Sequence, residues 1–281
     1  MKNFCDLHTH SVFSDGTDTP AEILRLSIDA GLSAVALCDH NTVDGLPDFL
    51  SAAKGKPLTA IPGAEFSVDF EGTEVHLLGL FLPESRFAEI TERMQEVMAR
   101  KEQSNIELIE SLRRAGYMLD YNEIKNATPN GKFNRAHIAA DLTKRGYTGS
   151  IKEAFQTLLS PAVGYYREPK RIDLFEMIDY LSSIHAAPVL AHPLLNLSEA
   201  DLTQLLPRAK QTGMIGMECV YSLYDSARTQ ISMAMADTFG LQCSGGSDYH
   251  GANKPDIQIG VGHGELRIPT EWATSIHAAI R

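Results

Sequence analysis

FCDLHTHSVFSDGTDTPAEILRLSIDAGLSAVALCDH, residues Phe4–His40, holds one complete structural unit. FCDL is an apolar run of strand length. Thr19-Pro20-Ala21-Glu22 then supplies an N-cap, a proline suited to the first helical position and a glutamate that reaches back to the cap. The helix is expected to run to about Ala30, where Gly31 stops it. AVALC, Ala34–Cys38, is the next buried strand. Strand, helix and strand in this order predict parallel pairing with the helix outside. Both strands lead straight into histidines: His8 and His10 after the first, His40 after the second.

The alternation continues outward from this unit. Asp44–Lys54 is helical in character, and strand-like pieces lie around Leu58–Ile61 and Val75–Leu82. Further on come a helix over about Asp173–His185, the strand PVLA (Pro188–Ala191), a helix from Ser198, the strand MECV (Met217–Val220), a helix from about Asp225, the strand LQCS (Leu241–Ser244) and a last helix after Pro269. Between these stretches the period changes. Phe87, Ile90, Met94, Val97, Ile106, Ile109 and Leu112 share one helical stripe. Thr128-Pro129-Asn130-Gly131 is a turn cluster. Asn134 caps a helix ending near Gly146, and Ser150-x-x-Glu153 opens another. The expectation is an α/β barrel in two parts, residues 1–85 and 165–281, with an all-helical insertion over residues 86–164.

Composition narrows the classes. Of the 281 residues 43% are hydrophobic and 22% charged, as in ordinary globular chains and unlike disordered ones. No apolar run is long enough to span a bilayer. The opening MKNFCDLHTH has no apolar leader segment, so a cytoplasmic protein is expected. The net charge of −11 disfavours long nucleic acid and anionic membranes as partners and leaves room for a short oligonucleotide held in a locally positive site. Cys5, Cys38, Cys219 and Cys243 form no CxxC pair and lie in strand-like stretches, which predicts four buried, reduced thiols.

The polar residues at the strand ends carry the chemistry. His8, His10, His40, His192, Asp248 and His250 all follow predicted strands, and Glu65 follows the Leu58–Ile61 strand. In an α/β barrel such positions converge on one mouth. With Asp15 and His76 they make a crowd of histidines and carboxylates that is costly to bury uncompensated, and divalent metal ions are the simplest compensation. Nitrogen and oxygen donors without thiolate suit manganese, iron or zinc. There are enough donors for two or three ions.

DLHTHSVFSDG (Asp6–Gly16), CDHNTVDG (Cys38–Gly45), GAEFS (Gly63–Ser67), HLLG (His76–Gly79), AHP (Ala191–Pro193) and GGSDYHG (Gly245–Gly251) resemble, in order, the motifs of the polymerase and histidinol phosphatase (PHP) family, which is related to the amidohydrolases. The resemblance implies a distorted (β/α)7 barrel with up to three metals, manganese foremost. It implies that His8, His10, Glu65 and Asp248 hold one ion, that Glu65 bridges to a second held by His76 and His192, and that Asp15, His40 and His250 hold a third. The helical block resembles the insertion of a branch that includes nucleotide bisphosphate phosphatases and a ribose cyclic-phosphate dihydrolase.

The expected activity is metal-dependent hydrolysis of a phosphate ester in a small phosphorylated metabolite, by attack of activated hydroxide on phosphorus. Glu65 and Asp248 support the nucleophile, and His192 is a candidate for protonating the leaving group. Arg135 and His137, in the first turn of the helix capped by Asn134, make an anion site for a second phosphate. Arg167 and Lys170, in a run rich in cations and tyrosines, are further candidate substrate contacts. The alternatives are an exonuclease on short RNA or DNA, a histidinol phosphatase, and a non-catalytic metal- or ligand-binding module.

Overall fold

The computed structural model describes residues 4–128 and 133–281, so Pro129–Gly131 of the expected turn lie outside the described residues. In chain order the elements are β1 (Phe4–Thr9), α1 (Pro20–Asp29), β2 (Ala34–Leu37), α2 (Leu46–Ala53), β3 (Thr59–Phe70), β4 (Thr73–Leu80), α3 (Phe87–Arg114), α4 (Tyr121–Ala127), α5 (Arg135–Lys144), α6 (Ile151–Thr157), β5 (Ile172–Asp173), α7 (Leu174–Ser183), β6 (Ala187–Ala191), α8 (Glu199–Thr212), β7 (Gly216–Tyr221), α9 (Ser226–Thr238), β8 (Gln242–Gly246), β9 (Ile268–Pro269) and α10 (Thr270–Ala278). They form two compact units, Met1–Thr91 with Ile172–Arg281, and Glu92–Arg171.

The first unit is the distorted barrel. Its strands run in the order β8-β7-β6-β4-β3-β2-β1-β9, with β5 beside β3. The ring closes where the chain after β8 meets the end of β1. There the Asp248 N–H donates to the His8 carbonyl at 2.8 Å and the His10 N–H to the Tyr249 carbonyl at 2.9 Å. β1, β2 and β3 pair in parallel, as do β6, β7 and β8. The strands are not all parallel as the sequence predicted: β4 runs antiparallel to both β3 and β6. The cause is local. Glu71 and Gly72 both take positive φ, 50° and 86°, the signature of a tight two-residue hairpin turn, which leaves no room for a crossover helix.

β3 also exceeds its expected span of Leu58–Ile61. It continues for 12 residues through Pro62, so Glu65 stands inside a strand and not beyond one. Pro62 and Gly63 mark a change of partner: Pro62 faces Leu37 of β2, and Gly63 faces Leu80 of β4. One core lies within the barrel, with Leu7, Ala36, Ile61, Leu78, Val189 and Ile268 buried together and Trp272 of α10 packed against it. Several helix starts follow the sequence reading: Thr19 caps α1 in a reciprocal box with Glu22, and Asp173, Ser198 and Asp225 cap α7, α8 and α9.

The helical unit has its own core, including Leu108, Leu112, Ile138, Leu142 and Leu159. Ile106, expected on the buried stripe, is only half-buried, and Leu108 takes that face instead. Ser150 caps α6, but the Glu153 carboxylate accepts from the Gly149 N–H at 2.7 Å and not from Ser150. Cys5, Cys38 and Cys219 are buried free thiols as expected. Cys243 is only half-buried, because it stands second in β8, below the strand's buried part. Among the described residues no helix is long and apolar enough to cross a membrane.

Candidate metal centre

Seven strands deliver side chains to one mouth, His40 coming from just past β2. His8 lies in β1 and His10 just past it; Glu65 lies in β3, His76 in β4 and Glu218 in β7. His192 follows β6, and Asp248 and His250 follow β8. Close backbone approach makes this possible. A Cβ on Gly246 would stand 2.2 Å from the Cβ of His8, so only glycine lets β8 come this near β1. Gly16 ends the turn carrying Asp15, where a Cβ would meet the His10 carbonyl oxygen at 2.5 Å. Asp39 ties that turn down, accepting from the Ser11 N–H at 2.8 Å, the Ser11 hydroxyl at 2.7 Å and the Ser14 hydroxyl at 2.6 Å.

Three residues beside the mouth hold left-handed backbone that non-glycine side chains rarely adopt: Asn41 (φ 52°), His192 (27°) and Asp248 (55°). Such conformations cost on the order of 1–3 kcal/mol and persist only when the surroundings fix them. Asn41 is fixed to β3 from both sides. Its N–H donates to the Glu65 carbonyl at 2.8 Å, and its side-chain oxygen accepts from the Ser67 N–H at 3.0 Å.

Glu65 is the hub. Its Oε1 faces His76 Nδ1 at 2.8 Å and His192 Nε2 at 2.9 Å. Its Oε2 faces His8 Nε2 at 3.1 Å, His10 Nε2 at 3.2 Å and His40 Nδ1 at 3.1 Å. Asp248 turns Oδ1 toward His10 Nε2 at 3.2 Å and His250 Nδ1 at 3.4 Å. Its Oδ2 accepts from the Tyr221 hydroxyl at 2.7 Å and from Lys254 Nζ at 2.6 Å. Asp15 Oδ1 lies 3.2 Å from His250 Nε2, and Oδ2 lies 3.7 Å from His40 Nε2.

The electrostatics are those of a buried ionic cluster. Burial alone would raise Glu65, but His8, His40 and His76 hold it well below the usual carboxylate range. Burial likewise opposes ionised Asp248 and Asp15, and neighbouring histidines hold both well below it, with Lys254 adding to the effect at Asp248. Burial works against charged histidines too. Glu65 and Glu218 outweigh it at His8, raising that group. Asp248 and Glu65 raise His10 to about 9, and Glu65 and Glu74 raise His76 to about 10. At His40 burial prevails and pushes it down to about 3.

These residues fit divalent ions. His8 Nε2 and His10 Nε2 face each other at 3.0 Å, close enough for both to ligate one ion. His10 Nδ1, Asp15 Oδ1, His40 Nδ1 and Glu65 Oε2 are buried, and among the described residues no neighbour meets them at a hydrogen-bonding angle. Four groups place their donor atoms within 4.8 Å of one another: His10, Asp15, His40 and His250; His8, His10, Glu65 and Asp248; His8, His192 and Glu218; and His40, Glu65 and His76. All donors are nitrogen or oxygen, the set expected of first-row divalent metals.

All nine residues proposed from the sequence as metal ligands are thus brought together. Glu218 was missed. Its signal was legible as a lone carboxylate in the apolar strand GMECVY, now found with 0% exposure. Tyr221 and Lys254 were missed as well, and nothing in their sequence setting singles them out. Arg135, His137, Arg167 and Lys170 belong to the helical unit and to none of the four groups. The Arg135 guanidinium lies 4.1 Å over the Tyr166 ring. His137 Nδ1 accepts from the Asn134 N–H at 3.1 Å, so this nitrogen completes a capping box and does not face a ligand. Arg167 and Lys170 border a groove of about 420 Å³ against Arg100 and Ser104 of α3. Residues 92–171 carry fourteen Lys and Arg against ten Asp and Glu, a net +4, which leaves −15 for the rest of a chain whose total is −11.

A barrel of this form with a histidine–carboxylate cluster at its mouth defines a class of hydrolases. Comparison with known proteins narrows the class. The PHP domain model matches residues 6–169, more than half of the chain, and the chain belongs to the PHP family of phosphoesterases, enzymes of the hydrolase class. A 5′-3′ exoribonuclease of Haemophilus influenzae is 30% identical over 87% of this chain and 89% of its own. A phosphoribosyl 1,2-cyclic phosphate 1,2-diphosphodiesterase of Eggerthella lenta is 28% identical over 88% of this chain and 94% of its own. The fold matches that of an amidohydrolase from Chromobacterium violaceum, solved with bound sulfate and no metal, at a TM-score of 0.84 and 23% identity over 99% of this chain and 97% of that one.

Proposed function

We propose that this protein hydrolyses a phosphate ester borne on ribose in a small substrate, such as a nucleoside 3′,5′-bisphosphate or a ribose cyclic phosphate. The observation that carries the reading is the buried cluster centred on Glu65, in which five imidazoles surround one carboxylate at a barrel mouth. Both named relatives act on phosphate esters of ribose, which supplies the substrate class. Two or three divalent ions, manganese before zinc or iron, would be held by His8, His10, Asp15, His40, Glu65, His76, His192, Asp248 and His250. When bound, such ions polarise phosphoryl oxygens and acidify water.

The chain's own groups have separable roles in this reading. Glu65 and Asp248 orient the attacking water and accept its proton. Asp248 is held for this by Tyr221 and Lys254. His192, with Nε2 2.9 Å from Glu65 Oε1, is the candidate for protonating the leaving oxygen where this nitrogen does not ligate an ion. The basic helical unit supplies phosphate contacts, with Arg135 foremost. His137, Arg167 and Lys170 are secondary.

A second reading is 5′-to-3′ trimming of short RNA, favoured by the 30% identity to the Haemophilus enzyme. The test is phosphate and nucleotide release by manganese-loaded protein from adenosine 3′,5′-bisphosphate, a ribose 1,2-cyclic phosphate bearing a 5-phosphate, histidinol phosphate and a 5′-phosphorylated RNA oligomer. The small-substrate reading expects turnover of one of the first two to exceed the rest. Preference for the oligomer establishes the RNA reading in its place, and no release from any of them refutes both.

A further inference from the structure

We propose that Glu218 is a positioning residue that sets two histidines of the centre at once. The inference rests on the reading of the cluster as a metal site. Glu218 stands in β7 with 0% exposure, and both of its oxygens are engaged. Oε1 faces His8 Nδ1 at 3.1 Å. Oε2 accepts the backbone N–H of His192 at 2.7 Å. A carboxylate only accepts, so the first contact places a proton on His8 Nδ1. That leaves His8 Nε2 as the nitrogen turned toward Glu65 Oε2 at 3.1 Å, His10 Nε2 at 3.0 Å and Asp248 Oδ1 at 3.7 Å. The second contact anchors His192 in its left-handed backbone, φ 27°. Without that turn the chain would continue along β6, and the His192 ring would not reach Glu65.

One buried carboxylate therefore fixes the tautomer of one ligand and the backbone of another, in strands that are not neighbours in the sheet at β1. Carboxylates that orient a ligating histidine through its second nitrogen typically change metal affinity about 10- to 100-fold when removed. His8, His192 and Glu218 also lie close enough to hold an ion themselves. The two engaged oxygens argue for orientation and against ligation.

Glu218→Gln separates these possibilities. A glutamine offers one acceptor where two donors need one each. In a calorimetric titration of the full chain with Mn2+, the variant is expected to keep the wild-type stoichiometry and bind about 10- to 100-fold more weakly. Loss of one ion per chain with the remaining affinity unchanged would overturn the proposal by making Glu218 a ligand, and unchanged affinity and stoichiometry would overturn it outright. Nitrogen-edited NMR of the Zn2+-loaded wild type needs no variant to fold: the proposal expects a proton on His8 Nδ1 and is overturned by one on Nε2. A wild-type chain that binds neither Mn2+ nor Zn2+ refutes the metal reading alone. Glu218's grip is then read in the ion-free protein as a downfield His8 Hδ1 resonance, which moves upfield in the variant; a resonance the variant leaves in place overturns the proposal.

Discussion

Glu65→Gln probes the centre without any ion or substrate. In the metal-free chain the Glu65 carboxylate meets five imidazoles between 2.8 and 3.2 Å, and its removal leaves protonated rings facing one another. Breaking a buried charge pair by removing one partner costs about 3–5 kcal/mol. A second route gives the same scale. His76, raised chiefly by Glu65, goes from 6.5 to about 10, which at about 1.4 kcal/mol per unit is at most roughly 5 kcal/mol of stability. His10 rises to about 9, but Asp248 is the larger cause there and stays in the variant, so its shift is not added. For a histidine raised on folding, the contribution is complete below the unfolded value near 6.5 and disappears as pH rises through 9 to 10. The metal-free wild type is therefore expected to exceed Glu65→Gln by about 3–5 kcal/mol at pH 7, and the gap should narrow by pH 10. Denaturant unfolding of chelator-treated protein at both pH values measures it. A gap below about 1 kcal/mol at pH 7, or one that does not narrow, would refute the account of the cluster as carboxylate-held protonated histidines.

The same protons must leave when ions bind. Titration of Mn2+ at pH 8 in two buffers of different ionisation enthalpy should show at least one proton released per ion, with affinity rising from pH 6 to 9, since His10 and His76 titrate at about 9 and about 10; binding without proton release would contradict those shifts. Arg135→Ala should raise KM at least about tenfold for a nucleoside bisphosphate and leave it unchanged for p-nitrophenyl phosphate, because a charge-assisted phosphate contact contributes about 1.5–3 kcal/mol. Equal effects on both substrates would remove Arg135 from the second-phosphate site.

The residues proposed to bind metal were legible because strand ends are legible. FCDL, AVALC, PVLA and LQCS each stop at polar residues, and α/β topology sends such residues to one mouth. The β3–β4 hairpin was not legible as such. Its turn, Glu71-Gly72, lacks the Asn-Gly or Asp-Gly pair that marks two-residue hairpins, so nothing warned that β4 would reverse. Pro62, just past the expected strand end at Ile61, sits where β3 exchanges β2 for β4. Glu218 was hidden for a different reason: a single carboxylate in an apolar strand shows that it needs a buried partner but not which one. His137 was read as a ligand-facing residue because Asn-x-x-His resembles an anion site as much as a cap, and only the 3.1 Å contact to Asn134 separates the two roles.

The barrel closes between the beginning and the end of the chain, and this has a consequence for biosynthesis. The Asp6 carboxylate accepts from the Ser247 N–H across 241 residues, and the neighbouring His8 and Asp248 enter the same cluster. On a ribosome His8 and His10 emerge well before Asp248 and His250, which follow only after the helical unit and the four strands β5 to β8 have been made. The two groups that draw on Asp248 or His250 are incomplete in every shorter nascent chain, whereas His40, Glu65 and His76 have all been made before the helical unit begins. Firm uptake of an ion by those two groups is thereby deferred until the chain past β8 closes the ring against β1.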